Sequence, residues 1–278
     1  MATVVSMTNP LTGAVEQVDR LDHTAQQIDD ATAMALQLSN PNLLDNWYFG
    51  NPVNQRNVSG AIDAVGYFLD RWKLVSGSVT IGSNGITLNG TIAQILETAV
   101  GTDVTASALT TEGVVVASYD NNSKTISLTG TGQTFVAAKL ELGSQQTLAH
   151  QENGVWVLNE IPDYGEQLRR CQRYFFRLQL GYGYDSIGTG FANSTTGCRI
   201  PLPVPVPFRT VPSVTSTGSF ALFKDGQSSI SATISSVRDK SSLAMPVLEI
   251  SASGLTQNGV YVLTSSSGDS SISLSADL

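Results

Sequence analysis

The chain has 278 residues, 41% of them hydrophobic, which is enough for more than one compact core. Only 14% are charged, against roughly 25% in ordinary soluble domains. Ser, Thr, Gly and Asn take their place, a hydroxyl- and amide-rich surface unlike that of a metabolic enzyme. The formal charge of −8 argues against nucleic acid as a partner, because phosphate binding needs clustered Lys and Arg.

In chain order, the first signal is helical. Leu11, Ala14, Val18, Leu21, Ala25, Ile28, Thr32 and Ala35 repeat at alternating spacings of three and four. That heptad pattern predicts a coiled coil over residues 11–38, stopped by Pro41. Leu11, Val18, Leu21, Ala25, Ile28 and Ala35 are its expected trimerisation contacts. No basic region followed by an apolar core opens the sequence, so the expectation is cytosolic synthesis without a secretory signal. No apolar run reaches the roughly 18 residues of a membrane helix, so no membrane insertion is expected.

From residue 43 to about 160 the period changes to two. Val79 and Ile81, then Ile86 and Leu88, flank Asn84-Gly85, a hairpin signal. Val114 and Val116 precede a turn at Asp120–Asn122, and Ile126 and Leu128 follow it. Val136, Ala138, Leu140 and Leu142 alternate with Lys139 and Glu141, which should face the other way. Short strands with frequent turns predict an antiparallel β-sandwich.

A short helix then starts at Tyr164. Asp163 suits the N-cap, Glu166 the capping box, and Gly181 the stop. Tyr164, Leu168, Cys171, Phe175 and Leu178 would share a face. Arg169, Arg170, Arg173 and Arg177 lie around the rest and are expected to be solvated or paired. Pro201, Pro203, Pro205 and Pro207 alternate with Leu202, Val204 and Val206, which suits an extended edge. Further short strands, with a second hairpin signal at Asn258-Gly259, predict another β-sandwich. The expected fold is therefore mainly β. It has an attachment segment and coiled coil at 1–41, an antiparallel β-sandwich at 42–162, and a linker helix with a C-terminal sandwich head at 163–278.

Catalytic signatures are sparse. Phosphate-loop, nucleophile-elbow and H-E-x-x-H patterns are missing, and the two histidines are His23 and His150. "GYGYDSIG" departs from a dinucleotide fingerprint at Ser186. Cys171 and Cys198 fit no zinc spacing and are expected to be reduced. The expectation is no cofactor, no metal and no enzyme activity, with a depolymerase using a carboxylate pair (Glu152, Glu160, Asp163, Glu166) as a minor alternative. Aromatic side chains beside amides and hydroxyls could instead hold sugars. Trp47 and Trp72 read as core. Tyr182 and Tyr184, in a glycine-rich loop, and Trp156 are the glycan-contact candidates.

Several motifs carry a resemblance. "NLLDN" (Asn42–Asn46) with Phe49, "PVNQR" (Pro52–Arg56) and "DRW" (Asp70–Trp72) are similar to the start of a β-sandwich module of phage and prophage tail-fibre-like proteins. "AAKLELGSQQTL" (Ala137–Leu148), "YGEQLRRCQRYFFRL" (Tyr164–Leu178) and "LPVPVPFRTVPSVT" (Leu202–Thr215) are similar to later parts of it. The resemblance implies a phage structural protein, assembled in the host cytoplasm, whose sandwich at 42–162 is jelly-roll-like, similar to carbohydrate-binding jelly rolls. Together with the heptad pattern, the expectation is a homotrimeric virion fibre or spike exposed on the particle, docked on a capsid or tail protein through its N-terminal segment and acting as an adhesin for host surface polysaccharide. A head-fibre or decoration protein with a purely structural role is the alternative. Asp70, Arg71 and Arg56 are expected to form a salt-bridged corner.

Overall fold

The structure, a computed structural model, describes residues 5–8, 15–18, 39–224 and 228–278. It is mainly β and falls into two compact units, residues 1–40 with 147–160, and residues 41–146 with 161–278.

In the first unit, β1 (Val5–Thr8) pairs antiparallel with β2 (Val15–Val18), Val5 facing Val18. The helix expected from residue 11 is therefore corrected at 15–18. The β-branched Val5, Val15 and Val18 favour extended backbone. The rest of the expected coiled coil, with Leu11, Leu21, Ala25, Ile28 and Ala35, lies outside the described residues, as does His23.

The second unit opens with one antiparallel sheet. It is built from β3 (Gly60–Ile62), β4 (Gly66–Leu69), β5 (Trp72–Gly82), β6 (Gly85–Ile95), β7 (Val104–Thr110), β8 (Gly113–Val116), β9 (Ser118–Asp120) and β10 (Thr125–Leu142). The main order is β3-β5-β6-β10-β7-β8, with β4 on β5 and β9 on β10. The β5–β6 hairpin forms as expected, but its two-residue loop is Ser83-Asn84 and Gly85 is already paired with Gly82. Gly77 and Gly90 face each other across this hairpin. A Cβ on either would come within 2.0 Å of the opposite backbone carbonyl, so only glycine fits. Register shifts at Leu74/Ser76 and Thr131/Gln133 let these long strands bend.

The segment after Pro41 runs along the free edge of β10. Leu43 N–H donates to Leu140 O, Phe49 N–H to Val136 O, and Ala138 N–H to Trp47 O. Leu44, Trp47, Phe49 and Val53 are buried with Phe68, Leu69 and Trp72, as expected for a core. Lys139 and Glu141 face the other way from Leu140, as expected, but that face is covered too, and both are fully buried. Two residues apart on one strand, they share a face, Nζ lies 3.7 Å from Oε2, and opposite charge lets both leave water together.

Residues 147–160 belong to the first unit and form the hairpin β11 (Ala149–Glu152) and β12 (Val155–Leu158). In the second unit, α1 (Tyr164–Gln172) follows, with Asp163 Oδ1 accepting the Glu166 N–H at 2.8 Å. The cap was legible, but the helix does not reach Gly181. It ends at Arg173, and β13 (Phe175–Gln179) takes over because Tyr174-Phe175-Phe176 prefers a pleated, half-buried surface.

The remaining strands are β14 (Ser186–Ala192), β15 (Gly197–Pro201), β16 (Ser213–Thr217), β17 (Phe220–Phe223), β18 (Ile230–Val237), β19 (Val247–Ser251), β20 (Val260–Ser265) and β21 (Ser271–Ser275). They form a closed barrel β14-β15-β19-β18-β17-β20 and a three-stranded sheet β13-β21-β16. Leu222, Leu248, Tyr261, Leu263 and Leu274 lie in its core. Asn258-Gly259 makes a turn, Asn258 at φ 65°, but β19 and β20 on either side do not pair, so it is not a hairpin. After Pro201, the alternating prolines leave the intervening amides free to pair. Leu202 N–H donates to Pro246 O at 2.8 Å and Val204 N–H to Ala244 O at 3.3 Å.

Candidate functional site

Two places concentrate the residues that the sequence singles out. The first is a buried polar seam. Asn46, at φ 52°, sits in the left-handed region that asparagine tolerates. Its Oδ1 accepts the Val53 N–H at 2.7 Å, and its Nδ2 donates to Val53 O at 2.9 Å and Asp70 O at 2.7 Å. Its own N–H donates to Gln167 Oε1 of α1 at 2.6 Å, and its carbonyl accepts the Trp72 indole N–H. Five bonds on one buried residue satisfy every group that folding removes from water.

The expected salt-bridged corner is there in altered form. Arg56 lies 3.5 Å from Asp70 and 2.6 Å from Asp277, and stacks 4.0 Å from the Phe175 ring centroid. Arg71 turns away from Asp70. It pairs instead with Asp45 at 3.1 Å and packs 3.6 Å from the Tyr174 ring, its own φ of 71° aiming it there. Asp45 also meets Arg170 at 2.8 Å. Burial pushes the Asp70 carboxyl up to about 6, against the pull of Gln55 hydrogen bonds and the Arg56 charge. Asp70 is fully buried, so a polymer has no path to it. Cys171 and Cys198 are free, buried thiols, and burial raises the pKa of both.

All four helix-region arginines have partners. Arg169 pairs with Glu166, Arg170 with Asp45 and Arg173 with Glu97, while Arg177 donates to the Arg56 carbonyl. Among the carboxylate candidates, Asp163 caps α1, Glu166 holds Arg169, and Glu152 lies 2.9 Å from His150 Nε2. His150 Nδ1 is 2.6 Å from Asn159 Oδ1. No grouping of three metal-ligating side chains is found among the described residues.

The second place is the loop between β13 and β14. One carboxylate oxygen of Asp185 accepts the N–H groups of Gly181 and Tyr182, both at 3.0 Å. The buried Ser265 hydroxyl donates to Tyr182 O at 2.8 Å and accepts the Asp185 N–H at 3.1 Å. Tyr184 N–H donates to Ser265 O. This lock leaves Tyr182 78% and Tyr184 70% exposed, with the Tyr184 ring edge-on to Phe223 and its φ at 74°. Two rings are thus held outward by a fixed backbone. Trp156, the third candidate, is half-buried on β12 in the other unit, opposite Gln151. The Asp185 and Ser265 lock was not read from the sequence. The only local sign is an Asp four residues after a Gly, a spacing common in loops.

Comparison of the chain with protein-family models, with curated proteins and with solved structures finds no match.

Proposed function

We propose that the protein is a bacteriophage fibre or spike that attaches the particle to a host surface polysaccharide. The exposed tyrosine pair on a pre-ordered loop carries the reading. Sugar rings bind flat aromatic faces, and a fixed loop spends little ordering entropy on capture. The sparse charge and hydroxyl-rich composition suit a particle surface. We read the bent sheet of residues 41–146 as a jelly-roll-like variant. We also read the chain as a homotrimer, joined and docked on a capsid or tail protein through its N-terminal segment, so that three weak sites act together through effective concentration.

A head-fibre or decoration role is the rival. It is favoured by the burial of the motifs that resemble tail-fibre modules: Asn46, Arg56, Asp70 and Trp72 hold the fold and present nothing outward.

Retention on host cell-wall polysaccharide, and competition by free protein against phage adsorption, tests the reading. Retention that Tyr182→Ala with Tyr184→Ala abolishes supports it. A protein located on the particle by labelled antibody but never retained on polysaccharide is a decoration protein.

A further inference from the structure

A cavity of about 740 Å³ opens on the first sheet, where the chain leaves β8 and crosses to β9. Ser107, Val116, Tyr119, Asn121 and Asn122 are among its lining residues. Two features distinguish it from an ordinary surface hollow.

Val116 is 92% exposed at the edge strand, an apolar surface that folding left in water. Finally, the rim is organised but not saturated. Tyr119 Oη donates to Asn121 Oδ1 at 3.2 Å, and that oxygen also accepts the Gly101 N–H at 2.9 Å. Asn121 Nδ2 and the Asn122 side-chain amide make no hydrogen bond within the described residues.

We infer that this groove binds a neutral saccharide. The inference rests on the adhesin reading and names a second site for it. Unused amide donors match sugar hydroxyl or acetamido oxygens, and Val116 and the Tyr119 ring match the apolar C–H face. Asp120 is the only charged residue among the described residues of the lining. With no cation to pair it, an acidic sugar would lose its hydration uncompensated. The volume lies within the range of small-ligand sites.

The test is titration of the full chain with N,N′-diacetylchitobiose, maltose and lactose, with glucuronic acid as the acidic control, followed by NMR of the Val116 methyls and Asn side-chain amides. Saturable shifts at Val116 and Asn122 with a neutral sugar, and none with glucuronate, are expected. Asn122→Ala, on an exposed side chain, should weaken binding without changing the melt.

Shifts at Tyr182 and Tyr184 alone overturn the groove and leave the adhesin standing. No saturable binding by any of the three neutral sugars also overturns the groove, and if retention on cell-wall polysaccharide fails too, both readings fall. Dilution-dependent changes at Val116 without sugar assign the edge to a second copy of the chain and overturn the inference.

Discussion

The indole N–H of Trp72 donates to the carbonyl of Asn46 at 2.9 Å across 26 residues of chain, tying the first strand of the β5–β6 hairpin to the segment that edges β10. Phe49 packs edge-on against the same indole at 5.2 Å between centroids. Asn46→Ala removes three side-chain bonds from a buried site and places alanine at φ 52°. A loss on the order of 3–5 kcal/mol is expected, read as a large drop in denaturation midpoint. An unchanged midpoint would refute the hub.

Arg56 sits between the buried Asp70 carboxylate and the partly buried Asp277. Arg56→Ala leaves Asp70 and Asp277 facing one another and strips the cation from the Phe175 ring. Breaking a buried pair by removing one member costs about 3–5 kcal/mol. Chemical denaturation at neutral pH measures it, and the deficit should shrink below pH 6, where Asp70 takes up a proton.

Asp70 sets an unusual pH dependence. Its carboxyl titrates near 3.8 when unfolded and at about 6 when folded. Between those values the folded state holds the extra proton, so stability rises as pH falls from 7 toward 4 and declines as pH rises through 6. The span is on the order of 3 kcal/mol. Asp70→Asn should flatten this slope in a melting series from pH 4 to 7. A wild-type slope of opposite sign in that window would contradict the assignment.

Asp185 is the lever on the tyrosine loop. Asp185→Ala deletes the acceptor for two backbone amides without touching an exposed ring. Polysaccharide retention should weaken while global stability falls by about 1 kcal/mol or less. Local amide exchange at Tyr182 should accelerate in step. Intact retention with a loosened loop would show that its order is irrelevant to capture.

Gly77→Ala places a methyl 2.0 Å from the Asn89 carbonyl oxygen. Two backbones in register cannot separate without breaking the hairpin, so a loss of at least about 3 kcal/mol is expected in thermal melts. Gly60→Ala, at a similar φ but with open space around it, is the control for backbone strain alone.

Local chemistry was readable because it depends on near neighbours. The mainly β class, the Ser83–Gly85 turn, the Asp163 cap and the alternating prolines after Pro201 all follow from spacing and backbone limits. Trp47 and Trp72 declared themselves as core by their apolar surroundings. Pairing across long separations was not readable. Nothing near Arg71 in the chain says that it chooses Asp45 over the adjacent Asp70, and nothing near Lys139 says that its face is covered. The end of α1 was missed because Tyr174–Phe176 fits a helix by period, and only β21, about a hundred residues later, offers the partner that makes it a strand. Sequence fixes which backbone states are cheap. Burial is a property of what the chain brings alongside, so the seam around Asn46, the lock on Tyr182 and Tyr184, and the open groove at Val116 exist only in the folded molecule.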